Sequence, residues 1–343
     1  MLKTKFSIAI ALVAASLLAP AAYAAEGTTT GSFGAASSAP VVDAIEIYQE
    51  FACTNVAASM DPQTTYYAKV TVTSHNKLKH LDEVQVTIFY DSTGGDMNAP
   101  VVADTHDCAI ITCTVGPPAI WAIDSGGPPT TWSIVTAGPD PCTQPADLEA
   151  TTGDWIFSFI PGKVARENMI NDWDAQGKAT NKQPQSGELY VRDKDMNWYG
   201  EITVNTLSVD WGNVPLGLVF EDATYNPETG IDVDYIANGD YSEDIKSSDN
   251  WTGAVTAEVV TLDVTGGNPP GAASQFALEA NDISDNVTAI TVTNSYNAID
   301  NTGLITTEAG DAVTTNTLWL SLSATGIVPD TYSGSIYYQI SNR

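Results

Sequence analysis

Residues 187–222 read GELYVRDKDMNWYGEITVNTLSVDWGNVPLGLVFED. Within this stretch Ile202, Val204 and Thr206 share one parity, Leu207, Val209 and Trp211 share the other, and a Gly-Asn-Val-Pro turn leads into the apolar run 216–220. Alternation at period two with one phase slip predicts a half-buried strand, bulged or turned at 205–207. A strand with one apolar face needs a second sheet to cover it. The expected fold class is therefore all-β, built from antiparallel β-sandwiches.

The rest of the chain repeats that pattern. Downstream, strands are expected over 230–237, 255–264, 275–280, 287–293, 317–324 and 332–341, with turn signals NPETG, NGDYSED, TGGNPPG, NTG and VPDTYSG between them. Val255, Ala257 and Val259 give way to Val260, Leu262 and Val264, a second phase slip. Upstream, strands are expected over 44–51, 66–74, 84–90 and 155–160; Tyr66, Ala68, Val70 and Val72 share one face. Between them, 91–152 is rich in TGGD, GPP, SGGPP and AGPDPC breakers and reads as a long loop insertion. Residues 171–186 gather Gly, Pro and Gln and read as an inter-domain linker, with one helical turn at most near 164–170. The expected order is a first β-sandwich over 41–170, the linker, and a second β-sandwich over 187–343.

Ahead of these domains stand Lys3 and Lys5, an apolar run 8–18, Pro20 and Ala22-Tyr23-Ala24. That is the pattern of a secretory signal peptide over 1–24, cleaved after Ala24. Residues 25–40 then form a Gly/Ser/Thr/Ala leader whose one charged side chain is Glu26. No other run approaches membrane-spanning length and the C-terminal SIYYQISNR carries no sorting signal. The expected location is secreted, extracellular or at the cell surface, with no membrane span after cleavage. With 42 acidic against 13 basic residues the formal charge is −29, and loss of Lys3 and Lys5 with the signal takes it to −31. Such a field repels nucleic acid and anionic membranes, and it keeps an exported protein dispersed.

Four candidate sites were legible as residue patterns. Cys53, Cys108, Cys113 and Cys142 are disulfide candidates with three pairings; Cys108 and Cys113 are close enough in sequence to close a small loop, leaving Cys142 for Cys53. His106, Asp107, Cys108 and Cys113 lack the tight paired spacing of a zinc site. Asp193, Asp195 and Asn197 have the oxygen spacing that opens calcium loops, but Trp198 stands where glycine is required and Val204 where the bidentate glutamate belongs. A simpler Ca2+ clamp would use Glu201, or Asp172 and Asp174, as well. Trp121, Trp132 and Trp251 are either stacking platforms for a glycan or the local cores of their loops. Asn250 and Asn286 head Asn-Trp-Thr and Asn-Val-Thr glycosylation sequences. Three histidines and the absence of any nucleophile-elbow, metalloprotease or phosphate-loop motif argue against an enzyme.

The patterns PDTYSGSIYYQI (329–340) and VDWGNVPLGL (209–218), with the signal peptide, resemble the immunoglobulin-like β-sandwich modules of prokaryotic exported and surface proteins, archaeal ones included. The resemblance implies two tandem immunoglobulin-like sandwiches and adhesion, scaffold or assembly roles, and it carries over no catalytic residue. The expected function is a non-enzymatic structural or interaction protein that self-assembles by sheet-edge strand addition, its partners being itself or other surface and matrix proteins. The alternatives are a secreted carbohydrate-binding module using those tryptophans and, behind it, a glycoside-active enzyme.

Overall fold

The computed structural model describes residues 38–95, 97–127, 130–220, 229–284 and 286–343. The expected signal peptide and all of the leader before Ser38 lie outside the described residues. The fold is all-β, 48% strand and 2% helical, and Ser38–Arg343 forms one compact unit.

The first half consists of β1 (Val41–Tyr48), β2 (Ser59–Met60), β3 (Tyr66–Thr73), β4 (Leu81–Tyr90), β5 (Cys108–Thr114), β6 (Ile120–Asp124), β7 (Ser133–Ile134), β8 (Thr152–Ile160), β9 (Asn168–Asn181) and β10 (Ser186–Met196). A four-stranded sheet, β1-β3-β8-β7, faces a six-stranded one, β2-β10-β9-β4-β5-β6. Ile45 and Ile47, Val70 and Val72, and Trp155, Phe157 and Phe159 meet Val84, Val86 and Ile88, Ala109 and Ile111 in one core. These are the alternate residues of each strand, as the period-two pattern requires.

Two expectations are corrected here. Residues 171–186, read as a linker, are most of β9 and the turn into β10, central in the six-stranded sheet. Their inner face is Ala175, Gly177 and Ala179, so the pattern is small against polar and gives no hydropathy signal. The physical reason is close packing: a Cβ at Gly177 would stand 3.2 Å from Val70 and 3.3 Å from Ile45. The 91–152 insertion likewise supplies β5, β6 and β7, and no helix forms over 164–170.

The second half holds β11 (Gly200–Val204), β12 (Thr229–Ala237), β13 (Tyr241–Ser247), β14 (Asn250–Gly253), β15 (Val259–Leu262), β16 (Gln275–Asn281), β17 (Ile290–Thr291), β18 (Asn297–Gly303), β19 (Asp311–Leu322), β20 (Tyr332–Ser333) and β21 (Ile336–Asn342). An eight-stranded sheet runs β11-β12-β19-β16-β15-β14-β20, with β17 on β16, and a three-stranded sheet runs β18-β13-β21. Val233, Tyr235, Leu278, Phe276 and Leu318 of the large sheet share a core with Ile245 and Tyr241 of the small one. Sheets of four and six strands, then eight and three, depart from the four-plus-three order of an immunoglobulin constant domain. The boundary between the halves falls at 197–199, ten residues into the stretch read as the start of the second sandwich. The half-buried strand expected through Trp211 stops at Val204, and 205–215 follows without strand structure.

Candidate functional site

Two places gather the polar and apolar side chains with something to do. One is the junction between the halves, centred on Asn238. This residue is fully buried. Its Nδ2 donates to Ala165 O and Asn197 O, each at 2.8 Å, and its Oδ1 accepts from Tyr199 N at 2.6 Å. Its backbone carbonyl accepts from Glu167 N at 2.8 Å and its N–H donates to Tyr199 O at 3.1 Å. Around it, Lys163 Nζ pairs with Glu201 Oε2 at 2.7 Å, and Tyr199 O–H donates to Glu201 Oε1 at 2.7 Å. Burial pushes the Glu201 carboxyl up, but the Lys163 and Tyr199 hydrogen bonds and the Lys163 charge outweigh it and hold the group below its ordinary value. Glu308 Oε1 accepts from Thr131 N and Oγ1 at 2.6 and 2.9 Å, and His106 Nε2 lies 2.9 Å from Thr306 O.

Several sequence-level candidates are absorbed by this junction. Asp107 forks to Arg166 at 2.6 and 3.2 Å, so the HDCAIITC cluster is an ion pair and a strand start. Asp193 and Asp195 lie inside β10, where Asp195 pairs in register with Ser59; Asn197 Nδ2 donates to Asp61 at 2.6 Å. Asp174 is paired with Arg192, and Asp172 accepts from Asn168 Nδ2 at 3.2 Å. Among the described residues no group of three or more His, Cys, Asp and Glu side chains is placed to share a cation.

All four thiols are free. Cys108 and Cys113 stand five residues apart on β5, about 17 Å along an extended strand against the ~4–7 Å between Cα atoms that a disulfide needs, so the short-loop pairing does not form. Burial pushes both thiols up to about 12, joined by Asp104, Asp124 and Asp107 for Cys108 and by Cys142 for Cys113; burial takes Cys142 to about 11. Cys53 is part-exposed, in a left-handed turn after β1.

Each of the three tryptophans packs against another aromatic ring. Trp132 is buried, its Nε1 donating to Thr105 O at 3.0 Å and its ring 6.2 Å from Trp173. Trp121 packs edge-on to Phe157 at 5.2 Å. Trp251 is 6% exposed, 4.7 Å from Phe276 and 5.8 Å from Trp211. Asn250 is exposed at the start of β14, and Asn286 begins a 3-10 turn, Asn286–Thr288.

The second place is a groove missed in the sequence. At the end of the second sandwich remote from the junction, where β11 has stopped, the sheets part around a cavity of about 790 Å³. Trp251, Phe276, Leu320, Leu322 and Ile336 line it, with Val209, Trp211 and Val214 of the 205–215 segment along one side. Leu207, Leu216 and Val328 stand on its rim at 93%, 44% and 41% exposure. Beside it runs β21, which pairs with β13 and is the end strand of its sheet. The signal available in the sequence was the phase slip before Leu207, where the chain leaves its sheet. Among the described residues no helix is long and apolar enough to cross a membrane.

No family model matches the chain, and no curated protein matches its sequence. Among solved structures it is similar to the 35 kDa C-terminal fragment of the major pilin of Streptococcus agalactiae, at 10% identity over 87% of this chain and 91% of that one, with a TM-score of 0.22.

Proposed function

We propose that the protein is an exported, non-enzymatic structural or interaction protein of the cell surface or extracellular matrix, which self-assembles by strand addition at a sheet edge. The observation that carries the reading is the apolar groove beside the end strand β21. A sheet edge beside an apolar groove is the surface that strand addition uses: backbone hydrogen bonds supply affinity and alternate side chains fill the pockets. The secretory pattern of residues 1–24 and the acidic composition support an extracellular setting. The junction supports a structural role, because its polar side chains are spent on holding two sandwiches together. Cell fractionation with an antibody, combined with light scattering of the purified chain from Ala25, tests the reading. Protein in the extracellular or surface fraction and concentration-dependent assembly are expected; a cytosolic protein that stays monomeric overturns it.

A further inference from the structure

We infer that the groove receives the N-terminal leader of a second copy of this chain, added as a strand beside β21, so that copies join head to tail. The inference rests on the strand-addition reading and names its two surfaces.

The acceptor is defined by where β11 ends. Near the junction β11 covers the flank of β21, Gly200 lying against Ile340. Beyond Val204 the strand ends, with Asn205 N and Thr206 N both donating to Asp232 O, and among the described residues no strand pairs with the Ile336 end of β21 on its outer side. Ile336 and Tyr338 of β21 line the same cavity as Trp251, Phe276 and Leu322.

The donor is argued from where the described chain begins. Asn181 Nδ2 donates to Ser38 O at 3.1 Å, and Gly187 packs so closely on Pro40 O that a Cβ there has no room. The leader therefore leaves the body beside the β9–β10 turn, at the end of the first sandwich remote from the junction. The groove lies at the end of the second sandwich remote from the junction. From Pro40 the way to the chain's own groove follows β9, 14 residues, and then β12, 9 residues. That is roughly 75 Å of strand, whereas the leader 25–40 reaches about 50 Å fully extended. The groove is out of its own leader's reach and within that of a neighbour stacked end on.

The leader's composition fits this occupant. Its one charged side chain, Glu26, stands near its start, so residues 27–40 enter an apolar groove without burying charge. Thr28-Thr29-Thr30 favour the extended backbone, and Phe33 is the single large apolar side chain, suited to the part-buried Leu320, Leu322 and Ile336 of the groove. Donor and acceptor are different surfaces, so the contact is heterologous and does not close on itself; it propagates an open filament.

The test uses the chain from Ala25 in three forms: unaltered, Phe33→Asp, and Leu216→Asp with Val328→Asp, the last two residues being exposed rim positions. Multi-angle light scattering and electron microscopy read assembly, and circular-dichroism melting confirms that each form is folded; Val328→Asp alone serves if the double variant melts early. The unaltered chain is expected to form filaments, and each variant to need about 30-fold or more higher concentration to associate. Mixed one to one, the leader variant and the groove variant are expected to give dimers that grow no further, one supplying the intact leader and the other the intact groove. Variants that assemble as the unaltered chain does, or a mixture that stays monomeric while the unaltered chain assembles, overturn the leader and groove but leave strand addition at another edge. An unaltered chain that stays monomeric overturns strand addition itself.

Discussion

Asn238 concentrates the junction into one side chain. Its three side-chain hydrogen bonds reach partners 73, 41 and 39 residues away, which is why nothing about it was legible in the sequence beyond an Asn-Gly turn. Asn238→Ala leaves two carbonyls and one N–H buried without partners, and each such group costs about 1–3 kcal/mol. The expected loss is about 3 kcal/mol, read as a lower urea midpoint at an unchanged slope. Asn238→Asp is expected to be worse, because it turns a carboxylate oxygen toward two carbonyls. The cysteines are the opposite case: their presence was plain and their pairing was not. Parity and distance along β5 separate Cys108 from Cys113, and strand boundaries decide that. With thiols at about 12, 12 and 11 inside the core and Cys53 part-exposed, alkylation of the native protein at pH 8 is expected to label Cys53 alone within minutes, and all four after denaturation. Mass spectrometry reads both results, and rapid native labelling of Cys108 or Cys113 contradicts the burial.

At the scale of elements, alternation located most strands and failed in two instructive places. The β9–β10 pair was misread because its inner residues are small, as close sheet packing requires at Gly177. The 205–215 segment was misread because Leu207, Val209 and Trp211 alternate although among the described residues no neighbouring strand pairs with them; Trp211 packs on Trp251 instead. The groove was illegible for the same reason, since a cavity is defined by strands from both sheets ending at one level. Its rim loop is held by Asp330, whose carboxylate accepts from Thr256 Oγ1, Thr256 N, Val255 N and Thr331 N. The Thr256 hydroxyl and N–H, opposed weakly by burial and aided by Thr331 and Val255, bring the carboxyl down to about 2. A carboxyl lowered from 3.8 stabilises the folded chain fully above pH 3.8, and that contribution is lost as pH falls through about 2. Asp330→Asn is therefore expected to melt below the unaltered protein at pH 7, with the gap closing between pH 4 and pH 2. A gap that persists at pH 2 assigns the effect to something other than ionisation.

For the whole molecule, the sequence conveyed the all-β class and two cores, because core strands carry alternating large apolar residues; it misplaced the boundary, because the junction at 197–199 is made by hydrogen bonds rather than by a change in composition. The same junction decides how charge acts on stability. At a formal charge of −29 the chain repels itself, and screening relieves that repulsion without any binding site. A calcium clamp among Asp193, Asp195, Asn197 and Glu201 would add a separate, ion-specific term. Both Glu201 oxygens already accept from Lys163 and Tyr199, and among the described residues no three His, Cys, Asp or Glu side chains are gathered to share a cation. Raising NaCl from 10 to 300 mM is expected to raise the melting temperature by about 2–4 °C, the shift that roughly 1 kcal/mol produces in a unit of this size. CaCl2 at matched ionic strength is expected to raise it no further, and EDTA in 300 mM NaCl to leave it unchanged. A calcium-specific rise of several degrees, abolished by Asp193→Asn with Asp195→Asn, would restore the clamp and make the junction a metal-stiffened hinge.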